Sequence, residues 1–185
     1  SFAAREALKV LAPGSWPEPV WDACAGRGNK TRHLQEMGKR VIASDIHHGR
    51  LKALRRALPE VPCFRARADL PAPLKDAPGT VLLDLPCSGL GVLARRPDIK
   101  HKRSMKDARA LARTQAAILD ASYETVAPGG LVAVITCTLN PDENELLVEG
   151  FLKRTPGSKL VRQWTTPQDS QLGEFFFSAL IEKGR

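Results

Sequence analysis

Nowhere in this 185-residue sequence does an apolar run approach the roughly 18 residues of a membrane span, and no basic stretch followed by an apolar one opens it. A soluble, cytoplasmic protein is the expectation. The four cysteines, Cys24, Cys63, Cys87 and Cys137, form no C-x-x-C pair, which argues against a zinc knuckle or a thioredoxin-like redox centre and for reduced thiols without metal. No repeat, low-complexity tract or second-domain linker interrupts the chain, and 43% hydrophobic residues suffice for one sizeable core. The sequence also opens without methionine, at Ser1, inside what reads as a helix from Phe2 to Leu11. A fragment consisting of a single domain, residues 1–185, is expected.

What the chain does have is positive charge: 28 Lys and Arg against 20 Asp and Glu, a net +8. An anionic partner follows from this balance, and nucleic acid is the commonest. Strand-like runs at Pro19 to Ala23, Arg40 to Ser44, Pro62 to Ala66, Thr80 to Leu83 and Leu131 to Ile135 alternate with helix-like ones. That alternation predicts an α/β protein with a doubly wound, mostly parallel sheet. Lys30 to Met37, Arg50 to Leu58 and Lys106 to Val126 carry apolar residues at helical spacing, and Asp142 with Glu145 has a capping-box spacing ahead of Leu146 to Leu152. Ala127-Pro128-Gly129-Gly130 ends the long helix, Pro71 to Pro78 is a surface loop, and Glu174 to Ile181 reads as a last, antiparallel strand.

Two cysteines emerge at the carboxyl ends of apolar runs, where open α/β sheets bind ligands: Asp84-Leu85-Pro86-Cys87-Ser88-Gly89 and Thr136-Cys137-Thr138. The first run ends in a small-residue turn, Cys24-Ala25-Gly26-Arg27-Gly28-Asn29-Lys30-Thr31, that opens a helix and lets backbone N–H groups approach an anion. It is neither G-x-x-x-x-G-K-[ST] nor a full G-x-G-x-x-G, so a phosphate cradle is disfavoured. Asp45 ends the second run, 23 residues after Asp22, where an acid can hydrogen-bond a ribose diol. A ribose and a non-phosphate anion together suggest S-adenosylmethionine. Asp69, after the third run, is positioned to accept from an adenine amino group.

These segments, together with Arg95-Arg96-Pro97-Asp98-Ile99-Lys100, Glu143-Asn144-Glu145, Arg50-Leu51 and Gly173, Phe175, Phe176, Ala179 and Leu180 near the end, closely resemble the signatures of the Sun/Fmu-type RNA (cytosine-5)-methyltransferases. The likeness covers nearly the whole chain. It implies a Rossmann-like methyltransferase fold, S-adenosylmethionine as methyl donor and cytosine in ribosomal or transfer RNA as acceptor. It assigns the nucleophile to Cys137, a part in product release to Cys87 and contact with the base edge to Asp84. A thiolate is chemically required, because C5 of cytosine is a poor nucleophile until a nucleophile adds at C6. The target base must be single-stranded or flipped.

Cys24, Ala25, Gly26, Arg27, Gly28, Asn29, Lys30, Asp45, Arg50, Asp69 and Asp84 are the candidate cofactor residues, with Lys30 near the methionine carboxylate. Arg95, Arg96, Lys100, Lys102 and Arg103, continued by Lys106, are candidate RNA contacts. The protein is expected to be a monomer, with RNA its partner. The sequence departs from the family pattern at Gly26-Arg27-Gly28-Asn29, where a proline and a second glycine are usual, and at His101, where an aromatic is common. The family's N-terminal RNA-binding extension is expected to be missing from this fragment. Two alternatives stand beside this reading: an amide or exocyclic-nitrogen methyltransferase, which wants Pro-Pro-aromatic where Pro86-Cys87 stands, and a catalytically silent RNA-binding module of the same fold.

Overall fold

Apolar strands that are buried on both faces must alternate their side chains between two separate cores, and the central strands here do so. The computed structural model describes residues 2–94, 105–167, 170 and 173–185. Its elements run α1 (Phe2–Val10), β1 (Val20–Asp22), α2 (Asn29–Glu36), β2 (Val41–Asp45), α3 (His48–Ala57), β3 (Cys63–Arg65), β4 (Thr80–Asp84), α4 (Met105–Thr125), β5 (Leu131–Thr136), α5 (Glu145–Arg154), β6 (Ser158–Thr165) and β7 (Phe177–Lys183). Val81, Leu83, Val132 and Val134 face a core completed by Ile118, Leu119 and Tyr123 of α4 and by Val148 and Phe151 of α5. Their neighbours Leu82, Ala133 and Ile135 face the opposite core, with Leu8, Trp16 and Leu34. Truncating a side chain such as Leu83 or Leu119, both fully buried, would cost about 2–5 kcal/mol.

The seven strands form one sheet in the order β3-β2-β1-β4-β5-β7-β6. All pairings from β3 to β5 are parallel, while β7 is antiparallel to both β5 and β6. The chain crosses over between β1 and β4, so the crevice outside their carboxyl ends is the topological switch point. Asp22 and Asp84, the last residues of those two strands, flank it.

Three expectations need correction. Beyond the expected antiparallel strand the sheet carries an edge strand, Ser158–Thr165, with no apolar alternation to announce it; most of its residues are exposed. Lys159, Arg162 and a register shift between Leu160 and Arg162 keep that edge from templating further pairing. The last strand begins at Phe177, three residues later than its aromatic run suggests, since Phe175 and Phe176 instead bond to Gly91 and Thr166. Asp142 does not cap α5: it lies in a 3-10 turn, Pro141–Glu143, whose cap is the Asn140 side chain.

Candidate active site

The turn after β1 is held by carboxylates. Gly28 sits at φ 85° as the cap of α2, and a Cβ there would lie 3.0 Å from the Leu54 side chain, so glycine is required on both counts. Asp45 Oδ2 accepts the Gly26 N–H at 2.9 Å while Oδ1 accepts that of His47 at 2.8 Å, tying the turn to the end of β2. Asp22, fully buried, accepts from Thr31 Oγ1 at 2.7 Å, and its Oδ1 has no partner. Burial, opposed by the Thr31 hydrogen bond and reinforced by Asp84 and Asp45, pushes the Asp22 carboxyl up to about 7. The Cys24 thiol beside it is pushed well up by burial and these carboxylates, so it is a neutral wall and not a nucleophile.

Lys30, in the first turn of α2, crosses the switch point to Asp84: Nζ lies 2.6 Å from Oδ2. Burial works to lower the ammonium's pKa, but the charge and hydrogen bond of Asp84, with Asp22, outweigh it and raise it. Next to this pair, the ends of β4 and β5 bring Cys87 Sγ to 3.2 Å from Cys137 Sγ. The Cys137 thiol is shifted down, chiefly by the hydrogen bond from Cys87 and also by Lys30, while that same hydrogen bond and burial hold Cys87 well above its ordinary value. Two contacts favour the Cys87 thiolate, the Cys137 N–H donating to its sulfur at 3.3 Å and the backbone at Gly89. Asp84 opposes the downward shift of Cys137 and Lys30 supports it, so the hydrogen bond from Cys87 is what sets the direction.

Sequence reasoning missed what fixes this spacing. Glu143, quoted above only as part of a signature, is fully buried, and its Oε2 accepts the Ser88 N–H at 2.8 Å and Gln115 Nε2 at 3.0 Å. Its Oε1 accepts from Asn140 Nδ2 at 3.1 Å. Ser88 Oγ and Thr138 Oγ1 meet at 2.6 Å, Gln115 also donates to Pro86 O at 2.8 Å, and Asn144 donates to Thr138 O while bonding Thr136 Oγ1. Both cysteine loops are thus bolted to one carboxyl. Gln115 lies 28 residues from Glu143 in the chain, and no local pattern signals the contact.

Two openings share Asp84 and Arg50. One, of about 180 Å³, lies between Cys24, Asp45, Ile46, Ala68, Pro86 and Ile118. The other, about 810 Å³, runs between α1 and α2 past Ala25, Gly26, Arg27, Asn29 and Lys30. All the cofactor candidates except Gly28 line one or both of these openings. Asp69 also lines the smaller cavity, but the Arg67 guanidinium holds both its oxygens, at 3.1 and 2.6 Å, and lowers its pKa. Arg50 NH1 stands 3.9 Å from Asp45 Oδ2. The candidate RNA contacts Arg95, Arg96, Lys100, Lys102 and Arg103 lie outside the described residues. Among the described residues, no helix is long and apolar enough to cross a membrane and no group of His, Cys, Asp and Glu is placed to hold a metal ion.

Comparison with known proteins places the whole arrangement. A family profile described as 16S rRNA methyltransferase RsmB/F matches residues 9–181. Ribosomal RNA small subunit methyltransferase B of Vibrio cholerae is 41% identical over 167 residues, covering 86% of this chain and 38% of that protein. The protein of that name from Salmonella arizonae is 34% identical, covering 98% of this chain and 46% of its own length. The chain thus spans less than half the length of these relatives. The crystal structure of NSun6 from Pyrococcus horikoshii with SFG superimposes with a TM-score of 0.81 at 27% identity, covering 99% of this chain and 52% of that one.

Proposed function

The chain belongs to the 16S rRNA methyltransferase RsmB/F family, and we propose from this membership and the site geometry that it transfers a methyl group from S-adenosylmethionine to C5 of a cytosine in RNA through a covalent Cys137–C6 adduct. The observation that carries the reading is the 3.2 Å approach of two thiols of opposite pKa shift beside the Lys30–Asp84 pair. The crevice suits the donor. Asp45 keeps a lone pair on each oxygen for a ribose diol, and Ile46, Pro86 and Ile118 wall the smaller cavity for a purine. When bound, S-adenosylmethionine supplies an electrophilic methyl sulfonium.

The chain's residues do the rest. Cys137 as thiolate adds to C6, and the pair of electrons pushed onto the ring makes C5 nucleophilic. Asp84, still 41% exposed despite its ion pair, faces the crevice and hydrogen-bonds the N3/N4 edge of the base as charge builds there. After methyl transfer, loss of the C5 proton drives rupture of the C6–S bond, which returns its electrons to Cys137. Cys87 assists this release: with the Cys137 sulfur bonded to carbon and no longer holding its hydrogen bond, Cys87 gives its proton to solvent and, as thiolate, takes the proton from C5.

The test is a denaturing gel with labelled RNA under reducing conditions. Cys87→Ala should accumulate a protein–RNA adduct, and Cys137→Ala should form none while binding S-adenosylmethionine normally. An adduct in Cys137→Ala and none in Cys87→Ala would reverse the two roles; methylation by Cys137→Ala would remove the covalent mechanism.

A further inference from the structure

The larger cleft carries more positive charge than the proposed cofactor can use. On its α1 side stand Ala4, Arg5 and Leu8, and on its α2 side Asn29, Arg32 and His33, whose spacing of three and four puts them on one helix face. Two of its cations are already paired, Lys30 with Asp84 and Arg50 with Asp45. Arg5 and Arg32, both exposed, have no acidic partner among the described residues, and neither has Arg27 at the lip of the turn. His33 adds ring nitrogens that are buried without a hydrogen bond, Nδ1 being 3.6 Å from Glu36. S-adenosylmethionine is itself net positive, and its single carboxylate would need no more than Lys30 and the Gly26–Asn29 backbone. Like charges gathered round one cleft repel one another unless a polyanion fills it.

Resting on the reading of RNA as substrate, we propose that the α1/α2 cleft is the phosphate track of that RNA, Arg5 and Arg32 holding backbone phosphates of a single strand whose target base reaches the inner end at Asp84. The cleft is continuous from these guanidinium groups to Asp84, which borders both openings.

The experiment is fluorescence anisotropy with a labelled single-stranded oligoribonucleotide containing one cytidine, titrated over a range of salt for the wild type, the double variant Arg5→Gln/Arg32→Gln and a control, Arg56→Gln, in the last turn of α3. Each lost phosphate contact on a single strand lowers the slope of log affinity against log salt by about 0.7, so the double variant should lose about 1.4 and the control nothing. S-adenosylmethionine affinity, read separately, should stay unchanged in all three. An unaltered salt slope in the double variant overturns the track while leaving the RNA reading standing. Equal weakening of S-adenosylmethionine and RNA in the double variant would instead assign the arginines to the cofactor. A wild type that binds no RNA at low salt overturns both the track and the RNA reading.

Discussion

Replacing Glu143 with alanine removes the single acceptor on which the two cysteine loops converge. Three donors lose their partner: Ser88 N–H at 2.8 Å, Gln115 Nε2 at 3.0 Å and Asn140 Nδ2 at 3.1 Å. A buried donor left unsatisfied costs about 1–3 kcal/mol. Asn140 is only half-buried and regains water, so the two inner donors set the cost at about 2–6 kcal/mol, a large part of the 5–15 kcal/mol typical of a domain. Glutamine at the same position keeps a carbonyl oxygen for Ser88 and Gln115 and turns an amide toward Asn140, which loses one peripheral bond, about 1 kcal/mol. Urea unfolding should therefore show a large fall in midpoint for Glu143→Ala and a small one for Glu143→Gln, at unchanged m-value. In single-turnover methyl transfer, normalised to folded protein, alanine should cost on the order of 100-fold, the effect of about 1 Å of misplacement between reacting groups. Equal damage from glutamine and alanine would refute the hydrogen-bond account in favour of the charge. An unchanged midpoint in Glu143→Ala would refute the bolt altogether.

Asp45→Ala should weaken S-adenosylmethionine by about 1.5–3 kcal/mol, the range for a hydrogen bond to a charged group, with an unchanged dissociation constant removing Asp45 from the ribose site. For Asp22, the folded pKa of about 7 lies above the ordinary value of 3.8, so its contribution to stability is fully present below pH 3.8 and is lost as the pH rises through about 7. Asp22→Asn should flatten that segment of the stability profile, and an identical slope in both proteins would contradict the assignment. Gly91→Ala should slow methyl transfer, since a Cβ there would overlap the Phe175 carbonyl oxygen and press to 3.0 Å on the Cys137 backbone; a variant with wild-type rate would show that the loop yields without cost.

The parallel half of the sheet was legible because a strand buried on both faces is an unbroken apolar run, as Thr80–Asp84 and Leu131–Thr136 are, and because each ends in polar residues that stand at the crevice. β6 was illegible for the opposite reason: exposed at the edge, with Lys159, Arg162 and Gln163 in its middle, it has no face to declare. The same division runs through the site. Residues at strand ends, Asp22, Asp45, Asp84, Cys87 and Cys137, are found by their position after a run. Gln115 and Glu143 acquire their structural role only from neighbours distant in sequence, and no local pattern marks Gln115, Arg5 or Arg32.

The departure at Gly26-Arg27-Gly28-Asn29 falls where backbone geometry tolerates it. Positive φ occurs at Gly26 and Gly28, 58° and 85°, and both are glycine, so the left-handed turns keep the residue they need. Asn29 is already the first residue of α2, a position with ordinary helical dihedrals that makes no demand for the second glycine of the family pattern. Arg27 is exposed, and its side chain lines the larger cleft without disturbing the Asp45 hold on the Gly26 N–H. The altered motif therefore preserves the path of the backbone past the crevice and changes only the charge at its lip. Restoring proline at position 27 should leave S-adenosylmethionine affinity within a few-fold and lower the salt slope of RNA binding by about 0.7, measured as for Arg5 and Arg32. A large gain in cofactor affinity with no change in RNA binding would show that the arginine had weakened the turn itself and lies off the phosphate track.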